Sequence, residues 1–235
     1  MKVLCIVGPT ASGKTAAAVE LALRLGGEVV SCDSVQIYKG FNIGTAKPSM
    51  EERRGVPHHM LDVAEPIEKW SAGHYARAAR ICIEEILSRG KLPIVTGGSG
   101  FYLRALTDGL TGLPPAPAEW DFVMIGLHPA RDELERRIAA RTSSMLKAGL
   151  IEETEALLRS GVPADCPPMG SIGYLQSRAV LDGSLTVEQA GAEIVLRSRQ
   201  YAKRQRTWFF NQIKALWFEN ISKLDIKTVE NTMPM

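Results

Sequence analysis

The stretch Gly8-Pro9-Thr10-Ala11-Ser12-Gly13-Lys14-Thr15 decides the fold, because it matches the pattern G-x-x-x-x-G-K-[ST] in full. An apolar run from Lys2 to Val7 precedes it and predicts a buried strand. An Ala- and Leu-rich run from Thr15 to Leu25 follows it and predicts a helix that Gly26 ends. A strand, a glycine-containing turn and a helix in this order are typical of a phosphate-binding loop in a parallel sheet.

The residue types of this loop suit the binding of a phosphate chain. Glycines let the backbone wrap around an anion, and the N-terminus of the helix directs free N–H groups at it. Lys14 supplies a positive charge to phosphoryl oxygens, and the Thr15 hydroxyl is a candidate ligand for Mg²⁺. The loop therefore predicts a phosphate ligand, although it does not identify that ligand as ATP.

The ends of two further predicted strands bear on the chemistry. In an NTPase a second apolar strand usually ends in an Asp that binds Mg²⁺. Here the strand Leu92 to Thr96 ends in Gly97-Gly98, and the acid follows another strand, at Asp33. Asp33 is a candidate base or metal ligand, with a solvent-exposed turn residue as the alternative. The pattern argues against a phosphotransferase that uses ATP. Such an enzyme nevertheless remains an alternative from a different class of function.

Strands alternate with helices along most of the chain, which predicts an α/β fold with a parallel sheet of the P-loop kinase type, flanked by helices. We expect a mostly helical C-terminal part. Further strands are predicted at Glu28–Ser31, Met60–Val63, Asp121–Leu127 and Ala215–Phe218, and helices at about 71–89, 130–148, 150–160, 171–181 and 186–210. The predicted divisions are a core with the substrate channel at 1–113, a linker at 114–120, the rest of the core with C-terminal helices at 121–218, and a tail at 219–235.

The composition is that of an ordinary globular protein. The chain has 235 residues, 45% of them hydrophobic and 23% charged, with a net charge of +2. Its four cysteines form no C-x-x-C pair, which argues against a zinc ribbon and favours free thiols in a reducing compartment. No apolar run reaches the roughly 18 residues of a membrane span. We expect a cytoplasmic monomer without membrane contact.

A basic stretch lies near the C-terminal end. Residues 194–218 contain no acid, and aromatic residues are interleaved with the cations Arg197, Arg199, Lys203, Arg204, Arg206 and Lys214. Positive charge combined with stacking surfaces suits RNA. A solvated helix face above a row of core aromatic residues is the alternative.

Seven motifs occur in an order that resembles the tRNA dimethylallyltransferase (tRNA isopentenyltransferase) family. They are the loop at 8–15, D-S-V-Q-I-Y at 33–38, N-I-G-T-A-K-P at 42–48, P-H-H-M-L-D-V at 57–63, G-G-S-G-F-Y at 97–102, I-G-Y at 172–174 and Y-A-K-R-Q-R-T-W-F at 201–209. The resemblance covers nearly all of residues 1–110 and 121–218. It is far more specific than a phosphate-binding loop alone.

The resemblance implies roles for these residues. Gly8, Pro9, Thr10, Ala11, Ser12, Gly13, Lys14, Thr15 and Arg204 would bind the diphosphate of dimethylallyl diphosphate, with Mg²⁺ as the cofactor near Thr15. Asp33 matches the general base, and Ser99, the second implied catalytic residue, stands where the family commonly has Thr, in the channel where the two substrates meet. The anticodon stem-loop of tRNA is the implied partner. Its implied contacts are Asp33, Ser34, Val35, Gln36, Ser99, Arg199, Lys203 and Arg206.

The chain departs from the family pattern at one place. Family members usually carry a helical insertion that grips the anticodon stem-loop, after the segment that corresponds to Gly109–Pro114. Here Pro114 to Glu119 leads almost directly to the strand at Asp121. Two alternatives to tRNA as the acceptor follow: a free adenine nucleotide (AMP or ADP), or a degenerate member that binds RNA without turnover.

Overall fold

A computed structural model describes residues 1–220, so most of the predicted tail at 219–235 lies outside the described residues. The strands are β1 (Lys2–Val7), β2 (Gly27–Ser31), β3 (His58–His59), β4 (Leu92–Gly97), β5 (Asp121–Leu127) and β6 (Leu216–Phe218). They form one six-stranded sheet in the order β3-β2-β4-β1-β5-β6, and every neighbouring pair is parallel. The predicted α/β fold with a parallel sheet is confirmed.

Helices cover the sheet and form most of the C-terminal part. They are α1 (Lys14–Leu25), α2 (Met50–Arg53), α3 (Ala72–Ser88), α4 (Gly100–Thr107), α5 (Arg131–Lys147), α6 (Leu150–Arg159), α7 (Tyr174–Leu181) and α8 (Val187–Gln212). Ser71 caps α3, because its side chain accepts a hydrogen bond from the His74 N–H at 3.1 Å. Among residues 1–220 no helix is both long enough and apolar enough to cross a membrane.

The central strand β1 is apolar along its length because both of its faces are covered. Successive side chains of a strand point to opposite faces of the sheet. Val3 and Cys5 belong to the core cluster that contains Tyr75 of α3, whereas Leu4 and Ile6 belong to the cluster that contains residues of α1. These four side chains, at positions 3–6, are fully buried. Burial on both faces explains the continuous apolar run in the sequence.

Two predicted boundaries are wrong. The strand predicted at Met60–Val63 lies instead at His58–His59, which pairs with β2. Met60 and Asp62 have φ values of 61° and 55°, and this left-handed conformation cannot continue a strand. The helix predicted from residue 171 begins at Tyr174, since Gly173 has a φ of 103° and is not helical.

The segment between α4 and β5 is a compact turn. The Ala116 N–H donates to the Thr107 carbonyl at 2.9 Å, and the Trp120 N–H donates to the Pro117 carbonyl at 3.0 Å. The chain therefore passes from the end of α4 into β5 by a short connection.

Parallel strands bring their carboxyl ends to one edge of the sheet, and this edge positions the candidate site. The loop at 8–13 follows β1, Asp33 lies two residues beyond β2, and Ser99 lies two residues beyond β4. Strands β2, β4 and β1 are neighbours in the sheet. Three segments that are far apart in sequence therefore meet at one crevice, where open α/β sheets bind ligands.

Candidate active site at the carboxyl edge of the sheet

The phosphate-binding loop has the backbone geometry that its glycines predict. Gly8 has a φ of 145°, and a Cβ atom there would lie 2.4 Å from the Leu127 carbonyl oxygen. Gly13 has a φ of 93° at the N-cap of α1. The Lys14 Nζ donates to the Pro9 carbonyl at 2.7 Å. The lysine is thus folded back over the loop, where an anion would replace the carbonyl as its partner.

Three cations surround this loop. Arg141 of α5 donates from Nη1 to the Thr10 hydroxyl at 3.2 Å, and Arg137 donates to the Ser12 carbonyl at 3.4 Å. Burial, together with a smaller contribution from the positive charge of Arg141, lowers the pKa of Lys14 to about 7, and the negative charge of Asp33 opposes this shift. Burial also lowers the pKa of the Arg141 guanidinium. Within residues 1–220, Arg141 has no carboxylate within 4.0 Å, so the site holds buried positive charge that an anion would neutralise.

Asp33 is held by the backbone that follows it. Its Oδ1 accepts hydrogen bonds from the N–H groups of Val35 at 2.9 Å and Gln36 at 3.2 Å. The geometry is that of an Asx turn, which fixes the carboxylate relative to β2. Asp33 lies near enough to Lys14 and Arg141 for its negative charge to oppose the lowering of the pKa of both. The carboxylate is therefore oriented, close to cations and left with Oδ2 available to a ligand.

Ser99 and Gln205 tie the three loops of the edge together. The Ser99 hydroxyl accepts from the Ser34 N–H at 2.9 Å, next to Asp33. The buried Gln205 of α8 accepts from the Thr10 N–H at 2.7 Å and donates to the Gly98 carbonyl at 2.9 Å. Gln205 thus links the phosphate-binding loop directly to the loop that carries Ser99.

The segment at 42–46 closes one side of the site. The Glu153 carboxylate of α6 accepts from the N–H groups of residues 42, 43 and 44 at 3.0–3.4 Å, and the buried Tyr174 hydroxyl also donates to it. The Gln36 side-chain amide donates to the carbonyls of Thr45 and Ala46, both at 3.1 Å. Since these contacts occupy its amide N–H groups, Gln36 shapes the wall of the site.

Two adjoining cavities occupy this edge. The inner cavity, of about 440 Å³, is lined by Lys14, Thr15, Glu52 and His58 among others, and the middle cavity, of about 360 Å³, is lined by Val35, Ile138 and Ile194 among others. The residues that line both cavities are Thr10, Ala11, Asp33, Thr45, Arg141 and Tyr201. The two cavities therefore form one channel, charged at its inner end and more apolar in its middle, with Asp33 at the junction.

The basic residues predicted from the C-terminal stretch do not all face the channel. Arg204 lies over the Tyr201 ring, 5.8 Å from its centroid, and lines the middle cavity but not the inner one. Arg199 lies 3.5 Å from Glu135 of α5, and Arg206 lies over the Phe210 ring. Lys203 is exposed beside Arg204. Of these four cations, Arg204 alone lines the channel.

Four residues of the site were not predicted from the sequence, namely Arg137, Arg141, Tyr201 and Gln205. Arg141 lies 131 positions from its partner Thr10, and nothing local marks it among the other arginines of α5. Gln205 and Tyr201 belong to the motif at 201–209, but the sequence predicted no role in the site for either of them. Burial raises the pKa of Tyr201 to about 12, so the phenol is a neutral hydrogen-bond donor in the channel. Its spacing of four residues from Gln205 on α8 is the one signal that could have paired them.

The oxygen donors of the inner cavity suit Mg²⁺ carried by a phosphate ligand. Thr15 and Asp33 line it, whereas Glu52 also accepts from the Ser49 N–H at 2.8 Å. Among the described residues no three His, Cys, Asp or Glu side chains form a metal cage. Mg²⁺ commonly takes one or two protein oxygens and completes its shell with substrate phosphates and water. Thr15 and Asp33 fit that requirement.

Comparison with known proteins assigns the chain to a family. The model of the family described as "IPP transferase" matches residues 36–121 and 114–212. A tRNA dimethylallyltransferase of Thermomicrobium roseum is 37% identical over 283 aligned positions, which cover 92% of this chain and 86% of that protein. The chain belongs to the tRNA dimethylallyltransferase family. Another member, from Koribacter versatilis, is 39% identical and covers 91% of each chain.

Solved structures of the tRNA dimethylallyltransferase family share the fold. The tRNA isopentenylpyrophosphate transferase of Bacillus halodurans superposes with a TM-score of 0.88 at 34% identity, covering 99% of this chain and 95% of that one. A eukaryotic dimethylallyltransferase, solved while acting on tRNA, superposes with a TM-score of 0.82. At 22% identity that second likeness shows the fold alone.

Members of the tRNA dimethylallyltransferase family have residues that this chain lacks. The alignment with the Thermomicrobium roseum protein runs over 283 positions, more than the 235 residues of this chain. The two parts of the family match meet at residues 114–121. This is the compact turn between α4 and β5.

Proposed function

We propose that this protein transfers the dimethylallyl group of dimethylallyl diphosphate to N6 of the adenosine next to the anticodon in tRNA. The reaction forms a bond between N6 and the allylic carbon, breaks the bond from that carbon to the diphosphate oxygen, and releases diphosphate. Family membership supports the prenyl transfer. The observation that carries the residue assignment is the position of Asp33, which lines both cavities of the channel and faces Lys14 and Arg141.

The inner cavity is the proposed site of the diphosphate. The phosphate-binding loop, Lys14, Arg137 and Arg141 would meet the negative charge that grows on the leaving group as the carbon–oxygen bond breaks. Mg²⁺, held by Thr15 and diphosphate oxygens, would supply further positive charge when bound. Because these donors are already in place in the described structure, little rearrangement would be needed during the reaction.

The adenine is proposed to reach Asp33 from the side of the middle cavity. An exocyclic adenine amine is a weak nucleophile, and a carboxylate within hydrogen-bond reach can accept its proton as the new bond forms. Oδ1 of Asp33 is occupied by two backbone N–H groups, so Oδ2 is the proposed proton acceptor. The base would have to leave the RNA stack to enter this channel. Ser34 and Val35 line the middle cavity, whereas Ser99 lines neither channel cavity and lies next to Ser34 in an adjoining one.

A free adenine nucleotide is the second candidate acceptor. The observation that favours it is the compact turn at 114–120, where family members have residues that this chain lacks. We favour tRNA because the relatives that match over most of the chain are named for tRNA. The proposal also includes a monomer.

The deciding experiment offers labelled dimethylallyl diphosphate to the protein with unmodified tRNA and with AMP in parallel. Label in tRNA, absent from a transcript in which guanosine replaces the target adenosine, is the expected result. Label in AMP alone would replace the proposed acceptor with a free nucleotide. Label in neither, with dimethylallyl diphosphate still bound, would contradict the proposed transfer.

A further inference from the structure

A groove outside the channel continues it toward the surface. We define the outer groove by Ser99, Phe101, Lys203, Arg204, Thr207 and Trp208, which line two adjoining cavities of about 340 and 400 Å³. The first of these cavities shares Ser34, Tyr201 and Arg204 with the middle cavity. A chain whose reacting base lies at Asp33 would therefore leave the channel through this groove.

Two aromatic side chains form the wall of the outer groove. Phe101, at the start of α4, is 58% exposed although the helix buries its neighbours Tyr102 and Leu103. Trp208 of α8 lies against the α4 backbone, since a Cβ atom at Gly100 would come within 2.2 Å of its ring. The absence of a side chain at Gly100 thus lets the indole pack closely against α4, and the exposed Phe101 ring lines the same cavity.

The charge of the outer groove is of one sign. Lys203 and Arg204 line it, and no Asp or Glu lines either of its two cavities. In the described part of the chain, neither cation has a carboxylate within 4.0 Å, whereas Arg197 and Arg199 of the same helix are paired with Glu193 and Glu135. Aromatic faces beside unpaired cations suit a single-stranded nucleic acid, whose bases stack and whose phosphates are anionic.

We propose that the outer groove binds the nucleotide adjacent to the target adenosine, with its base stacked on Phe101 and its phosphate facing Lys203 and Arg204. This inference rests on the proposed function and adds a subsite to it. The occupant is RNA because the groove continues the channel that receives the adenine. A peptide or a second copy of this chain could also contact the aromatic side chains, but only a polyanion is complementary to a surface whose charges are all positive.

The test measures steady-state transfer to an anticodon stem-loop RNA and to two further RNAs, abasic at the position 5′ or 3′ to the target adenosine. Phe101→Ala is expected to raise KM for the intact stem-loop about five- to 150-fold, the range for loss of one base–aromatic stack. KM for dimethylallyl diphosphate and kcat at saturating RNA should not change. Phe101→Trp should restore KM, and Phe101→Leu should not, because stacking requires a ring.

One of the abasic RNAs is expected to show the same rise in KM with the wild-type protein and no additional rise with Phe101→Ala. Leu196→Ala is the matched control, since Leu196 is an exposed apolar residue of α8 outside the groove. The subsite would be overturned if the effects of Phe101→Ala and of each abasic site on KM were fully additive. It would also be overturned if Phe101→Ala changed the oligomeric state and left KM for RNA unaltered. Wild-type protein that modifies no stem-loop would instead contradict the proposed function itself.

Discussion

Arg141 donates a hydrogen bond to the hydroxyl of Thr10 at 3.2 Å, and this contact joins the C-terminal helices to the phosphate-binding loop. Arg141 is half-buried, and its guanidinium also donates to the Thr45 carbonyl at 3.4 Å. Burying a charge without an opposite partner is costly. Because the described residues place no carboxylate within 4.0 Å of Arg141, we propose that this charge serves an anionic ligand rather than stability.

Arg141→Ala is expected to weaken binding of dimethylallyl diphosphate about 10- to 150-fold, the range for loss of one hydrogen bond to a charged group. Arg141→Lys should recover only part of this loss, because an ammonium lacks the fork of donors. Isothermal titration calorimetry measures the change. Arg136→Ala is the matched control on α5, since Arg136 is exposed and paired with Glu133. Equal affinities in the two alanine variants would exclude Arg141 from the diphosphate site.

Lys14 should make diphosphate binding depend on pH. Its pKa is lowered to about 7 in the free protein, and a bound anion would raise it toward its ordinary value. Binding is therefore linked to proton uptake above pH 7, and affinity should fall up to tenfold for each pH unit between about 7 and 9. Titrations in buffers of different ionisation enthalpy measure the protons taken up. Proton uptake that persists in Lys14→Met would assign the linkage to another group.

Asp33→Asn should lower transfer about 10²- to 10⁴-fold, the usual contribution of a general base. The asparagine Oδ1 can still accept from Val35 and Gln36, so the turn should persist. Affinity for dimethylallyl diphosphate should be unchanged or higher, because a negative charge near the diphosphate is removed. Single-turnover transfer and equilibrium binding separate the two effects. Asp132→Asn, at an exposed position of α5, is the control, and wild-type turnover in Asp33→Asn would exclude Asp33 as the base.

Gln205→Ala should destabilise the protein by about 1–3 kcal/mol, since it leaves the Thr10 N–H and the Gly98 carbonyl without their partner. For a chain of this size each kcal/mol corresponds to a fall in Tm of about 2–4 °C. We also expect kcat to fall, because Gln205 links the diphosphate side to the Ser99 side. Gln200→Ala, exposed on the same helix, is the control. A Tm equal to that of Gln200→Ala would show that water replaces the amide at no cost.

Lys203 and Arg204 should account for more of the salt dependence of tRNA binding than the paired cations of α8. Neutralising both is expected to reduce the slope of log K against log salt by about 0.7–0.9 per charge. Arg197→Ala should change the slope less, because Arg197 is paired with Glu193. The same comparison tests the predicted tRNA contacts Arg199 and Arg206. A larger effect of Arg199 and Arg206 would mean that RNA approaches the face of α8 next to α5.

The sequence by itself determined the fold class and the chemistry of the loop. The pattern at 8–15 and the fully apolar β1 predict a parallel sheet with a phosphate site, because local backbone geometry and burial leave few other solutions. Asp33 was also predicted as a candidate from sequence, since it follows a buried strand. The strand at β3 was misplaced because two left-handed residues, Met60 and Asp62, interrupt a run whose composition suits a strand.

Only the tertiary structure decided which distant residues share the site. Arg141 lies 131 positions and Gln205 195 positions from their partner Thr10, and no local pattern encodes such pairings. Likewise, charge alone could not separate Arg204, which lines the channel, from Arg199, which is paired with Glu135. The physical reason is that helix periodicity gives each side chain a direction, whereas the packing of α5 and α8 against the sheet decides what lies in that direction.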